Sequence, residues 1–166
     1  MVKMTEGKNK VLLFRKLSEQ GNESAKKLVF QTSHSFTYSR ELDRIVTKDG
    51  SVVKVGGLEA EVEIEAIAAK GDEVSKMLKE SVKYGEKLEL WEVEVDPEAP
   101  EGPYPAVYAQ GYLDSWEETS DAEDESEVTG TFIVDLVPQE GTTTLDADQT
   151  EAVQYAFTDT SAVVSG

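Results

Sequence analysis

Few residues in this sequence could do chemistry, and their spacing removes most of the reactions they could serve. His34 is the sole histidine and lies between Ser33 and Ser35 in a stretch with strand character. No G-x-S-x-G turn surrounds it, and no particular carboxylate is marked as its orienter. A surface or satisfied histidine is the better reading. A single imidazole excludes any site needing two. The absence of cysteine removes thiol nucleophiles, disulfides, thiolate zinc sites and iron–sulfur clusters. Asp121-Ala122-Glu123-Asp124-Glu125 invites a calcium reading, but it lacks the sixth-position glycine and the distal spacing of a calcium loop. Lys48-Asp49-Gly50 is a turn, since the glycine-rich spacing of a phosphate loop is missing. Trp91, Tyr104, Tyr108, Tyr112 and Trp116 could stack on bases or sugars, yet no basic residue is interleaved with them, so packing is the better account. Carboxylates are so abundant that no pair stands out for acid–base work. No catalytic, cofactor-binding or metal residue is expected, and no enzyme.

The charge is more informative. The 166 residues carry 16 basic and 34 acidic side chains, a net charge of −18. All 16 basic residues lie at or before Lys87, beside 14 acidic ones; the remainder holds 20 acidic residues and no Lys or Arg. A chain this acidic does not wrap a phosphate backbone. One reading is a solvated acidic surface. The other is a self-associating protein with unlike electrostatic ends, which steer copies head to tail. Hydrophobic residues make up 39%, enough for a core. No apolar run approaches the roughly 18 residues of a membrane span, so no membrane partner is expected. Met1–Lys10 is polar without a signal peptide's apolar stretch, so an intracellular product is expected and Asn22-Glu23-Ser24 should stay unglycosylated.

The elements that would position these residues are mostly strands. Lys10–Leu17 is short and apolar-rich, and Glu19-Gln20-Gly21-Asn22 closes it as a turn. Lys27–Tyr38, rich in β-branched and aromatic residues, predicts the next strand. Ile45–Thr47 and Val52–Val55 flank Lys48-Asp49-Gly50-Ser51, where Asp-Gly suits the positive φ angles of a hairpin turn. Gly56-Gly57 permits a bend or bulge. One helix follows: Gly71-Asp72 offers its N-cap, Val74, Met77, Leu78 and Val82 fall at helical spacing, and Gly85 stops it. Leu88–Val95 is a strand, and Pro97 to Pro105 form a stiff loop. Val107–Trp116 and Val128–Val137 predict a strand pair around Glu117–Glu127, which holds seven acidic residues and reads as a loop tip. Asp146-Ala147-Asp148-Gln149 could cap a short helix, with Tyr155-Ala156-Phe157 as an apolar anchor. No repeat or linker divides the chain. The fold class is mainly β: a β-sandwich or part-closed barrel with one flanking helix, in a single domain over residues 1–166.

The clearest strand is Leu58–Ala66. Glu59, Glu61, Glu63 and Glu65 share one face, and Leu58, Ala60, Val62, Ile64 and Ala66 the other. In an isolated domain the acidic row is the wet face of an amphipathic strand. In a ring of copies it would line a water-filled channel with carboxylates to which DNA does not adhere. The Leu88–Val95 strand, with Glu92 and Glu94, is the competing candidate for that wall.

Several blocks resemble the major tail proteins of long non-contractile (siphovirus) phage tails. They are Lys10-Val11-Leu12-Leu13-Phe14-Arg15-Lys16-Leu17, Lys27-Leu28-Val29-Phe30-Gln31-Thr32, Thr47-Lys48-Asp49-Gly50, Ala69-Lys70-Gly71-Asp72, Leu88-Glu89-Leu90-Trp91-Glu92-Val93 and Ala109-Gln110-Gly111-Tyr112-Leu113. Thr144-Leu145 and Val153–Thr160 complete the set, in the family's order.

The resemblance implies a structural virion protein. Hexameric rings would stack into a tail tube, the conduit for genome ejection, with the inner sheets of six subunits joined into one β-barrel. It implies an inter-ring hairpin at residues 40–57, carrying Arg40, Arg44, Lys48, Asp49, Gly50 and Lys54, an N-terminal arm at 1–9 and a C-terminal arm at 142–166. The lumen would carry Glu59, Glu61, Glu63 and Glu65. The implied partners are further copies of the chain, a tape measure protein inside the tube, tail terminator and baseplate or distal tail proteins, and viral DNA that passes without tight binding. Assembly in the host cytoplasm and residence in the virion tail follow. Many relatives add an immunoglobulin-like domain at the carboxyl end, which is not expected here. Two alternatives stand beside this reading: an acidic DNA mimic or protein-binding module, and the tube protein of a bacterial contractile or secretion system.

Overall fold

In the computed structural model, which describes residues 3–145 and Gln149, seven strands and one helix fold into an open, coiled sheet. The strands are β1 (Lys10–Lys16), β2 (Lys26–Lys27), β3 (Gln31–Thr47), β4 (Gly50–Ile67), β5 (Leu88–Glu94), β6 (Tyr104–Thr119) and β7 (Glu127–Thr143), with helix α1 (Glu73–Tyr84) between β4 and β5. Every pairing is antiparallel, in the order β2-β1-β5-β6-β7-β4-β3. The sheet curls until β3 stands near β1 and β5 without a backbone ladder between them. The result is a part-closed barrel whose core is lined by Leu12 and Phe14 of β1, Val62 and Ile64 of β4, Leu88 and Leu90 of β5, and Phe132 of β7.

Helix α1 plugs one side of this core. The Asp72 carboxylate accepts the Val74 N–H at 3.1 Å, satisfying one of the donors that a helix start leaves open. Gly85 closes the helix at φ 65°, where a side chain would be strained. Val74 and Leu78 are buried, and Met77 and Val82 pack at the margin. Burying side chains of this size contributes about 1.5–3 kcal/mol each.

Four local expectations change. Lys27–Tyr38 is not one strand: the chain breaks at Leu28–Phe30, with Phe30 at φ 55°, so that Leu28 reaches the core and Gln31 turns toward β1. The hairpin is far longer than Arg40–Gly57, since β3 and β4 pair from Gln31 and Ala66 out to the tip. At that tip Lys48 and Asp49 form the two-residue turn, and the positive φ falls on Gly50 alone, at 122°. Within the stretch expected as an acidic loop, Glu117–Thr119 and Glu127 continue the β6–β7 ladder, while Pro105 lies inside β6. The expected cap at 146–148, the anchor at 155–157 and most of the C-terminal arm lie outside the described residues.

Candidate functional site

The informative features of the described residues are faces and edges. On β4 the buried side chains are Ala60, Val62, Ile64 and Ala66, which puts Glu59, Glu61, Glu63 and Glu65 on the opposite, outer face. Across that face Ser39, Thr37, Ser35 and Ser33 of β3 stand opposite the four glutamates in turn. On the other side Ile133, Thr131 and Thr129 of β7 stand opposite Glu61, Glu63 and Glu65. The sheet therefore presents hydroxyls and carboxylates with no cation among these positions. Among the described residues, none of the four carboxylates has an ion-pair or hydrogen-bond partner. Glu59, Glu63 and Glu65 are exposed and Glu61 is half-buried.

The hairpin continues past the core that supports its root. At Glu41 the register shifts, with Gly56 and Gly57 set against one residue of β3. A Cβ on Gly56 would lie 2.8 Å from the Glu41 carbonyl oxygen, so the close approach needs glycine. The extra residue reverses the alternation of β4. Beyond it Leu42, Val46, Val53 and Val55 continue the face that is core-side lower down, while Ile45 and Val52 take the other. No core lies beneath them: Leu42 is 60% exposed and Val46 83%.

The expected basic residues sit around these aliphatics. Arg40 donates to the Gly56 carbonyl at 2.8 Å and Arg44 to the Ser51 hydroxyl at 2.9 Å, so both guanidinium groups brace the hairpin itself. Lys48, in the turn with Asp49, and Lys54 make no ion pair among the described residues. Glu41, Asp43 and Asp49 dilute the positive charge. The distal hairpin is thus apolar with a basic fringe.

Where the curled sheet nearly meets itself, side chains bridge the gap. The Gln31 amide donates to the Leu12 carbonyl at 2.8 Å and accepts the Leu12 N–H at 3.0 Å, standing in for a missing ladder. His34 Nε2 meets Glu92 of β5 at 2.7 Å, joining β3 to β5 beside an open cleft of about 760 Å³. That bond holds the Glu92 carboxyl below the usual carboxylate range, ahead of burial, which works the other way. Ser33 and Ser35 point to the face opposite His34, so no serine–histidine pair forms. Nothing in the sequence links residues 34 and 92; only the curl of the sheet brings them together.

Glu89, also missed by sequence reasoning, is fully buried. Its carboxylate accepts from Arg15 Nε at 2.6 Å, Gln20 at 2.7 Å and the Tyr108 hydroxyl at 2.6 Å. Burial first, and then this bond, raise the Tyr108 pKa above the tyrosine range. Arg15 also lies 4.9 Å over the Trp91 ring, which accounts for two of the candidate stacking aromatics as packing.

Several strand edges are open among the described residues, two of them on opposite sides of the β6-β7-β4-β3 run. β3 pairs with β4 alone along its 17 residues, and β6 from Tyr112 to Thr119 pairs with β7 alone. Helix α1 packs beside β6, with Lys79 3.5 Å from Glu118, while an unpaired edge as long as that of β3 is a template for another chain. The acidic segment 120–126 is a loop between β6 and β7. Among the described residues no group of three His, Asp or Glu could hold a metal, and no helix is long and apolar enough to cross a membrane.

Residues 4–140 match the family model described as phage tail tube protein. Among solved structures, the chain is similar to the SPP1 tail tube at a TM-score of 0.76 and 18% identity, over 90% of this chain and 85% of that one. It is also similar to a gene transfer agent tail refined with C6 symmetry, at a TM-score of 0.64 and 12% identity, over 83% and 99%. The anti-feeding prophage baseplate structure holds a chain at a TM-score of 0.62 and 7% identity, over 85% and 97%. At these identities the likeness is one of fold. No curated protein matches the chain.

Proposed function

Since the chain belongs to the phage tail tube protein family, we propose that it is the repeating subunit of a tube of stacked hexameric rings through which a phage genome is ejected. It is a structural protein of a phage tail or related injection system and not an enzyme. The observation that carries the finer reading is the hairpin, which runs beyond its own core and leaves large aliphatics uncovered on both faces. A monomeric DNA mimic has no use for such an arm.

The open edges suggest how a ring closes. The β3 edge of one copy adds to the Tyr112–Thr119 edge of β6 in the next, joining six β6-β7-β4-β3 sheets into one barrel without free edges. The core side of that sheet faces into the subunit, so Glu59, Glu61, Glu63 and Glu65 face the channel and repel passing phosphates. Six-fold closure is supported by the C6 symmetry of the gene transfer agent tail. The distal hairpin then spans to the adjacent ring, with residues 1–9 and 142–166 as bracing arms. A tape measure protein in the lumen, a terminator at one end and a baseplate at the other complete the tail, put together in the host cytoplasm before it joins the virion.

Negative-stain microscopy of the purified protein tests this directly. Hollow six-fold tubes or stacked rings are expected. A monodisperse monomer at high concentration across salt and pH overturns it.

A further inference from the structure

The apolar hairpin needs a complementary seat, and β7 holds an unexplained feature that fits it. Between the pairs Tyr108↔Gln139 and Gln110↔Asp135, three residues of β7, Leu136-Val137-Pro138, stand against the single residue Ala109 of β6. Leu136 takes φ 63°, rare for a leucine, and it is 82% exposed, with Val137 59% exposed. A strained bulge that holds two apolar side chains in solvent gives the isolated fold nothing. Beyond Ile133 the β7 edge facing β4 is also unpaired.

We propose that the Leu136–Val137 bulge is the seat for the distal hairpin of a second copy of this chain. Charge supports this occupant. Asp135 and Glu140 flank the bulge and β7 carries no basic residue, whereas Arg44, Lys48 and Lys54 fringe the hairpin's aliphatics. Lys87 of the same chain bonds Asp135 at 2.9 Å, while Glu140, in a groove with Lys10, Glu92 and Glu94, makes no ion pair among the described residues. Donor and acceptor are different patches of one molecule, so the contact is head to tail and propagates. The inference rests on the tube reading and adds to it the receiving surface.

Because the chain has no cysteine, a cross-link can report this contact without background. Val46→Cys and Leu136→Cys chains are mixed, assembled and treated with a short bis-maleimide. Linked dimers are expected from the mixture and not from either chain alone. In parallel, Leu136→Ser/Val137→Ser should keep the circular dichroism spectrum but need at least tenfold more protein to polymerise. Tubes that form from the serine variant at the parent concentration, or a mixture that yields no linked dimer, overturn the seat and leave the tube reading intact. Failure of the unsubstituted chain to polymerise overturns both.

Discussion

Glu89 shows what a single buried charge demands. Its carboxylate has no access to water and is satisfied by three donors from β1, β6 and the turn after β1. Removing one member of such a set leaves the others desolvated and unpaired. Glu89→Ala should therefore cost about 3 kcal/mol, read by denaturant unfolding, because Arg15 is left largely buried. Glu89→Leu with Arg15→Leu should recover part of that loss, since the uncompensated charge goes with its partner. His34–Glu92 makes a different prediction. Folding lowers the proton affinity of Glu92, so the clasp contributes stability above the unfolded-state carboxylate pKa and loses it as pH falls through the lower folded value. Melting temperature should drop on acidification through and below the ordinary carboxylate range. Glu92→Gln should flatten that part of the profile.

At the scale of elements, the best-read parts were those whose pattern answers to a core beneath them. Leu58–Ala66 alternates because one face must be buried, and α1 shows its caps and stripe for the same reason. The distal hairpin has no core below it, so Arg40-Glu41-Leu42-Asp43-Arg44 carries no alternation, and β3 was legible only in fragments. The break at Phe30 and the Gln31 and His34 bridges depend on contacts between distant segments, which no local window contains. Bulges hid the true lengths of β6 and β7, although Gly111 marks one close approach: a Cβ there would collide with the Ile133 carbonyl oxygen. The hairpin also carries an element-scale prediction. Lys48 and Lys54 are exposed and brace nothing among the described residues, unlike Arg40 and Arg44. Lys48→Glu with Lys54→Glu should leave thermal unfolding within about 0.5 kcal/mol of the parent. Ring stacking, followed by sedimentation, should weaken most at low salt, where charge acts furthest.

For the whole molecule, charge and apolar surface are sorted by direction. Carboxylates and hydroxyls dominate the outer face of β4 and its neighbours, while most of the uncovered aliphatics gather on the distal hairpin and the β7 bulge. On the proposed ring, those become the channel wall and the axial joints. Glu61→Lys with Glu63→Lys should still give tubes, because neither carboxylate has a partner among the described residues and unpaired charges on an outer face contribute little to folding. DNA release through such tubes should slow, most severely at low salt, since each cation facing the duplex adds a salt-sensitive phosphate contact. Release rates unchanged across salt would remove these residues from the channel.

The phase reversal at Gly56-Gly57 has a mechanical meaning. It lies on the part of the hairpin that has already left the sheet, since β4 pairs with β7 only from Glu61, and it sits where Gly56 leaves no room for a side chain beside the Glu41 backbone and Gly57 has open space. On the proposed stacking, six such hinges tie each ring to the next. A bend then distributes as small tilts at every junction: arms on the convex side swing outward and those on the concave side fold in, with no seat vacated. On that proposal the filament would curve like a jointed hose while its bore kept its diameter.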